Sequence, residues 1–198
     1  MTQSTTIKKW FGRLAFEMLL VFITISMALF ANGWWQEREH RIRSREILQA
    51  CREEITLNQE RVRAAMAGQK ELLRRLSSFL DSSDAPSPRS IFELRDRVSG
   101  GRGLTLPMVT DTTWEMVIRT QAAQQIPVSL IRILSAVHYA QSRMLGIADH
   151  FQDIVLDRSN LDLARARETV SRGIVFLQIL MEAETNLLAR YEEALKAL

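Results

Sequence analysis

One run of apolar residues near the N-terminus constrains this chain more than any other feature. Residues 14–35 read LAFEMLLVFITISMALFANGWW, and Glu17 is the one charged residue among them. A helix that crosses a bilayer needs about 20 mainly apolar residues. Tryptophan side chains favour the boundary between lipid and water. They flank this run on both sides, as Trp10, Trp34 and Trp35. The sequence therefore predicts one transmembrane helix over residues 14–35.

Two other interpretations of this run are less favoured. A cleaved signal peptide also has a basic start and an apolar middle, but Ala28–Ala31 (ALFA) matches a small-x-small cleavage site poorly. A buried helix of a soluble protein is disfavoured by the flanking tryptophans. We therefore expect a short basic tail (1–13), the membrane helix (14–35) and a soluble domain (36–198).

Basic residues stand on both sides of the predicted membrane helix. The charge balance slightly favours a cytoplasmic C-terminal domain, but long following domains cross the membrane with little regard to charge. The reverse topology would also move the basic N-terminal tail across. We therefore favour a cytoplasmic N-terminus. The residues expected to contact lipid headgroups are Lys8, Lys9, Arg13, Arg38 and Arg41. A solvated face, in which arginines pair with Glu37, Glu39 and Glu46, is the alternative.

One side of the predicted membrane helix carries small and polar residues at helical spacing. We call it the polar stripe; its members are Glu17, Thr24, Ala28, Ala31 and Asn32. Polar groups inside a membrane usually face protein, and small residues let two helices approach closely. The pattern indicates a helix–helix contact within the membrane, with a second copy or another subunit. Alternatively, Glu17 and Asn32 reach the headgroups at the two ends.

After residue 36 the chain is polar but periodic. Two interleaved sets of residues recur every seven positions and are apolar except at Asn58 and Gln69. They are Leu48, Ile55, Val62, Gln69 and Leu76 with Cys51, Asn58, Ala65, Leu72 and Phe79. This heptad pattern is typical of helices packed along one seam. Gly68 is the one glycine or proline between Trp34 and Leu80. We therefore expect a single helix that continues out of the membrane.

The rest of the chain predicts further helices. A turn-rich loop (81–90) precedes a short helix, 91–98, which Ser90 can cap and which ends at Gly100–Gly103. A second short helix, TTWEMVIRTQ, begins at Asp111 or Thr112. Two long helices follow, one from near Pro127 and one after residue 160. Their heptad positions are Leu130, Leu134, Val137, Gln141, Met144, Ala148, Phe151 and Val155, then Val170, Ile174, Leu177, Met181, Glu184, Leu188, Tyr191, Leu195 and Leu198.

These elements predict an all-α protein. Its membrane helix continues into an antiparallel bundle of three long helices with one or two short ones. Four heptad positions are polar, and they predict a polar bundle core formed by Asn58, Gln69, Gln141 and Glu184. Polar residues at such positions usually set helix register. A polar pocket for a small ligand is the alternative interpretation.

The sequence offers little chemistry. Gly100–Gly103 lacks the Lys-Ser/Thr of a phosphate loop. Carboxylate-bridged metal sites in bundles need two Glu-x-x-His motifs, and only Glu37-x-x-His40 is present; His138, His150 and Asp153 are weak candidates on one helix. The single cysteine, Cys51, excludes an internal disulfide. A net charge of +3 does not suggest nucleic-acid binding. We expect no metal, no cofactor and no catalytic residue.

Two blocks resemble a bacterial family of single-pass membrane proteins whose activity is not established. The first block carries Glu17, Ala28, Leu29, Asn32, Trp34, Glu37 and Arg38; the second is Pro107–Met116 (PMVTDTTWEM). A glycine usual in that family is missing, since Ala122-Ala123-Gln124 stands in its place. The resemblance implies an anchor followed by a helical domain, in a bacterial inner membrane, and it implies no activity.

The leading hypothesis is a non-enzymatic single-pass protein whose helical domain binds other proteins, as a subunit or accessory factor of a membrane complex. Its expected partners are membrane lipids and other subunits or a second copy, and the domain is expected in the periplasm. The alternative is an extracytoplasmic four-helix sensor of a small ligand, which would need a separate signalling partner because the N-terminal tail is short. An enzyme would require a metal or acid site inside the bundle.

Overall fold

The fold is entirely helical in the part of the chain that the structure describes. The computed structural model describes backbone for residues 4–82, 90, 93–94, 96–97, 100, 104–120, 123, 126–156 and 165–198, with side chains in these ranges except 4–15 and 151–156. Its helices are α1 (Ser4–Asp81), α2 (Thr112–Arg119), α3 (Val128–Leu156) and α4 (Ala166–Ala197). The predicted all-α class, with three long helices and short ones, is confirmed.

The first helix contributes to both of the compact units into which the chain divides, residues 1–46 and 47–198. It has no proline, and its three glycines, Gly12, Gly33 and Gly68, are isolated from one another. The expected continuation of the membrane helix into the soluble domain is therefore observed as one helix, Ser4–Asp81.

In the second unit, the predicted heptad positions form the core. On α1, the fully buried set includes Ile55, Val62 and Ala65, and on α3 it includes Leu134 and Met144. On α4 the first predicted set is confirmed, since Val170, Leu177, Glu184 and Tyr191 are buried. In the second set, Ile174, Met181, Leu188 and Leu195 are only partly buried, and Leu180, Leu187 and Ala194, each one residue earlier, are buried instead. The second set is therefore displaced by one residue, because the buried seam alternates steps of three and four residues from the first set.

Contacts between α1 and α4 show that these helices run in opposite directions. Arg63 pairs with Glu192 at 3.3 Å, whereas the guanidinium of Arg167, near the start of α4, donates to the backbone carbonyl of Leu80, near the end of α1. Two separate core clusters lie along this pair of helices. One is around Val62 and Leu187, and the other is around Leu76 and Leu177.

The connection between α1 and α2 includes an extended segment, which we call the return segment (residues 104–111). Before it, Ser90 Oγ accepts a hydrogen bond from the backbone N–H of Glu93 at 3.1 Å, so the predicted cap is confirmed. Residues 93–94 and 96–97 are helical, while the rest of the predicted loop and short helix, and Gly101–Gly103, lie outside the described residues. The backbone of the return segment is the partner of several polar side chains in the bundle.

Candidate functional site

The apolar stretch of α1 (residues 16–31) is fully open to its surroundings. Eleven large apolar side chains between Phe16 and Phe30 are exposed, and no part of the described chain covers them. By length and composition, α1 is the one helix among the described residues that is able to cross a membrane. A helix of a soluble core would instead be covered by its neighbours.

The polar stripe lies along one side of this stretch, and all five of its residues are exposed. Thr24 Oγ1 donates to the backbone carbonyl of Leu20 at 2.8 Å. This local bond satisfies the hydroxyl within its own helix, so Thr24 adds no unsatisfied donor to an apolar environment. The contact between the polar stripe and a second helix stays a prediction.

The residues after the apolar stretch pair among themselves. Trp34 and Trp35 are exposed, and the Arg38 guanidinium lies 5.9 Å from the centre of the Trp34 ring. The ion pairs are Arg41 with Glu37 at 3.7 Å and Arg43 with Glu39 at 2.7 Å. Such exposed pairs are weak and leave the guanidinium groups open to other anions. The side chains of Lys8, Lys9, Trp10 and Arg13 lie outside the described residues.

In the second unit, Asn58 holds the return segment through both of its amide atoms. Asn58 Nδ2 donates to the carbonyl of Thr110 at 2.6 Å, and Asn58 Oδ1 accepts from the N–H of the same residue at 3.0 Å. Gln141 Nε2, from α3, donates to that carbonyl as well, at 3.1 Å. Two predicted polar core residues from different helices therefore meet at one backbone carbonyl.

The other two predicted core residues meet further along the return segment. Gln69 Nε2 donates to Glu184 Oε1 at 2.7 Å and to the carbonyl of Thr105 at 3.1 Å. Between these two places, Arg61 donates to the carbonyl of Met108 at 2.9 Å. The four polar residues thus form two pairs, Asn58 with Gln141 and Gln69 with Glu184, and both pairs bind backbone groups that a bundle core would otherwise leave unsatisfied.

Glu54 binds the first turn of α2. Its Oε2 atom accepts from the backbone N–H of Thr113 at 2.8 Å and from the Thr113 hydroxyl. Asp111 occupies the position before the helix, as predicted, but its side chain makes no capping hydrogen bond. A carboxylate at a helix N-terminus is favourable because the first N–H groups have no partner within the helix. The cap therefore comes from α1 instead of from the preceding residue.

A small cavity of about 20 Å³ lies beside this cap. Its lining includes Cys51, Glu54, Trp114 and His138, and this volume accommodates about one water molecule. Burial, and secondly the Glu54 carboxylate, raise the pKa of Cys51 to about 11. The Cys51 thiol is therefore protonated at neutral pH, which makes it a poor nucleophile. A small organic ligand does not fit this cavity.

The Tyr191 hydroxyl is the other polar group at this level of the core. The Tyr191 side chain is completely buried. Burial first, and then the carboxylate of Glu54, raise the pKa of Tyr191, while its interaction with Asn58 opposes them. Tyr191 therefore remains neutral at neutral pH, and the Glu54 carboxylate is a charge that acts on both Cys51 and Tyr191.

The histidines do not form a metal site with the residues that the structure describes. His138 stacks on Trp114, with ring centres 5.8 Å apart, and its Nδ1 atom lies 3.3 Å from Asp111 Oδ2. His150 is exposed, and the side chain of Asp153 lies outside the described residues. No group of three histidine, cysteine, aspartate or glutamate side chains able to hold a metal is present in the described ranges.

A wider and more open cavity, of about 270 Å³, lies where α1 ends. Its lining includes Arg74, Arg75 and Arg97. Arg74 and Arg75 both donate to Glu71, which lowers the pKa of that carboxyl to about 2, and Arg97 pairs with Glu93 at 2.5 Å. Arg74 and Arg75 share the Glu71 carboxylate and Arg97 pairs with Glu93, so these ion pairs offset much of the positive charge that lines the cavity.

Sequence patterns did not identify Glu54 and Arg61 as members of this network. Together with Asn58 and Gln69 they lie on one side of α1, at positions 54, 58, 61 and 69. That spacing was a detectable signal. However, their partners lie in the first turn of α2 and in the return segment, and the path of a non-helical segment has no periodicity that the sequence reveals.

Comparison with known proteins adds no further assignment. No protein-family model, no curated protein and no solved structure matches this chain. The resemblance to a bacterial membrane-protein family therefore stays a prediction, and function has to be inferred from the physical properties described above.

Proposed function

We propose that this chain is a non-enzymatic, single-pass membrane protein whose helical bundle binds other proteins, as a subunit or accessory factor of a membrane complex. The observation that carries this proposal is the exposure of the apolar stretch of α1. Leaving eleven large apolar side chains in water would cost roughly 20 kcal/mol relative to burying them. Insertion in a bilayer removes that cost.

The polar stripe supports a protein partner inside the membrane. Lipid tails offer no hydrogen bonds, so the Asn32 amide and the Glu17 carboxyl are better accommodated near another protein helix or at a headgroup. Ala28 and Ala31 would allow the two backbones to approach closely. The partner is either a second copy of this chain or a different membrane subunit.

The bundle supports a scaffold in preference to a catalyst. Its buried polar groups Asn58, Gln69 and Gln141 bind the protein's own backbone, and the Cys51 thiol is held protonated. These groups fix the bundle's shape. The alternative, a sensor of a small ligand, gains no support from the core cavity, which has room for about one water molecule.

We place the protein in a bacterial inner membrane, with its N-terminus in the cytoplasm and the bundle in the periplasm. The basis is the basic N-terminal tail and the length of the domain that follows the membrane helix. In this topology the exposed arginines after Trp35 lie at the outer headgroups, where each contributes about 1 kcal/mol or less to lipid attraction.

The test is copurification from native membranes in mild detergent. Replacing Thr24, Ala28 and Asn32 with leucine keeps the helix apolar but fills the close-contact face, so the variant is expected to lose its copurifying subunit by roughly tenfold or more. The matched control replaces Phe22, Ser26 and Phe30, on the opposite side of the helix, with leucine, and it is expected to retain the subunit. Equal retention by both variants contradicts the proposed contact.

A further inference from the structure

Glu184 is the one carboxyl group that is completely buried among the described residues of the bundle. It lies at the centre of α4, its relative exposure is 0%, and the same value holds for its partner Gln69 on α1. One hydrogen bond, from Gln69 Nε2 to Glu184 Oε1, joins them at 2.7 Å. A buried carboxylate normally needs several donors or a cation to offset its lost hydration, and this carboxyl has one neutral donor.

The orientation of the Gln69 amide is determined by its two acceptors. The amide nitrogen faces both Glu184 Oε1 and the Thr105 carbonyl, so both of its hydrogens are used. The reverse orientation would put the amide oxygen against two other oxygens. The atoms left without a partner are Gln69 Oε1 and Glu184 Oε2, and both are acceptors when Glu184 is ionised.

In the part of the chain that the structure describes, no charged side chain pairs with the Glu184 carboxyl, whose partner is the Gln69 amide. Gln69 faces it from α1 and also holds the Thr105 carbonyl of the return segment, and α3 adds apolar side chains such as Val137 and Met144 to the core cluster that contains Leu180 and Leu187 of α4. The ion pair Arg63–Glu192 is at the surface, with both side chains 55% exposed. Burial raises the pKa of Glu184 to about 7, and the hydrogen bond from Gln69 opposes that shift.

We propose that Gln69, Glu184 and Thr105 form a proton-dependent latch. Glu184 is held as a carboxylic acid that donates its Oε2 proton to Gln69 Oε1, while Gln69 Nε2 donates to Glu184 Oε1 and to the Thr105 carbonyl. Both unpartnered oxygens are then satisfied. When the proton leaves Oε2 for solvent, two acceptors face each other in a dry core, the acid–amide pair breaks, and the hold on the return segment weakens.

The direction of the pH effect follows from the raised pKa. The unfolded chain releases the proton near the ordinary value of 4.5, and the folded chain releases it near 7. The latch therefore stabilises the fold fully well below pH 4.5, and its contribution is lost as the pH rises through about 7. From well below pH 4.5 to well above pH 7 the folding equilibrium constant is expected to fall by roughly 300-fold in total, and the part of this fall between pH 5.5 and 8 is roughly 30-fold.

Infrared spectroscopy of the full chain in detergent tests the protonation itself. We expect a buried carboxylic-acid C=O band at about pH 5.5 that disappears at about pH 8 and is missing in the Glu184→Gln variant. Glutamine keeps the shape and the donor of the protonated acid, so this variant should also fold. The control is Glu182→Gln, an exposed residue on the same helix, which should keep the band. A wild-type protein that lacks this band at pH 5.5 overturns the proposal.

Hydrogen exchange tests the coupling to the return segment. After correction for the intrinsic effect of pH on exchange, protection of residues 104–111 is expected to fall by up to roughly 30-fold between pH 5.5 and 8 in the wild type and in Glu182→Gln. In Glu184→Gln it should change little. If protection of the return segment shows the same pH dependence in all three proteins, Glu184 does not control it and the latch is wrong.

Discussion

The two stretches of α1 belong to one helix and place apolar residues differently around it. In the apolar stretch (16–31) they occupy almost every side, and all of these residues are exposed. In what we call the bundle stretch (47–81) they recur with heptad spacing on one face, which is buried against α3 and α4. The arrangement of apolar residues, more than their number, thus determines whether a helix packs against protein or needs an apolar solvent.

Polar residues in the two stretches also find their partners differently. In the apolar stretch, Thr24 bonds to a carbonyl four residues earlier in its own helix. In the bundle stretch, Asn58 and Gln69 bond to residues 52 and 36 positions away in the chain. A membrane helix offers few partners besides its own backbone, whereas polar residues in the bundle can fix the path of a distant segment. Substitutions that act on only one stretch should separate these roles.

The largest expected effect is that of a carboxylate in the bundle stretch. Val62 is completely buried, so Val62→Asp places a charge in the core without a partner. We expect the free energy of unfolding to fall by about 4 kcal/mol or more, measured by circular dichroism in detergent. Association with membranes should not change. The control is Ala64→Asp, because Ala64 is exposed on the same helix. An equal loss of unfolding free energy in both variants would refute the burial assigned to Val62.

An aspartate in the apolar stretch should weaken membrane insertion and leave the stability of the bundle unchanged. Ile23→Asp puts a carboxylate near the middle of the predicted membrane helix, and insertion is expected to weaken by roughly 3 kcal/mol. The measurement is the fraction of protein extracted from membranes by alkaline carbonate, with Ile23→Leu as the control. Thermal unfolding of the bundle should stay as in the wild type. If Ile23→Asp and Ile23→Leu are extracted equally, the apolar stretch does not cross the membrane.

Much of the helical architecture follows from sequence periodicity. The heptad positions of α1 and α3 predicted the buried residues well. On α4 the first set was right and the second set was wrong by one residue, since its buried residues follow the first set by three positions instead of four. Sequence periodicity indicates the apolar face of one helix at a time. It does not indicate where the neighbouring helices lie.

The polar network was only half predictable. Asn58, Gln69, Gln141 and Glu184 stand out because they interrupt apolar heptad positions. Asn58 and Gln141 meet because both donate to the Thr110 carbonyl, whereas Gln69 donates directly to Glu184 and also to the Thr105 carbonyl. Sequence periodicity does not give the path of the return segment that supplies these carbonyls. Glu54 and Arg61 lie beside the heptad positions, where polar residues are ordinary. They share one side of α1 with Asn58 and Gln69, but this spacing alone does not identify their partners.

The smallest effect should come from the cap that α1 supplies to α2. Glu54→Gln keeps an acceptor for Thr113 but removes the charge at the helix N-terminus, so we expect a loss of about 1 kcal/mol in the free energy of unfolding. The control is Glu53→Gln, since Glu53 is exposed and its carboxylate accepts from Gln49 on the same helix. This control should change stability by less than about 0.5 kcal/mol.

A second measurement separates the lost charge from a general loosening of the bundle. The Glu54 carboxylate is the smaller of the two causes that raise the pKa of Cys51 to about 11. Removing this charge should therefore lower the pKa of the thiol, while burial keeps it above the ordinary value. Thiol reactivity as a function of pH measures the change. An unchanged thiol pKa in Glu54→Gln would mean that the Glu54 carboxylate does not face the core. That result would contradict its role as the charged cap that α1 supplies to α2.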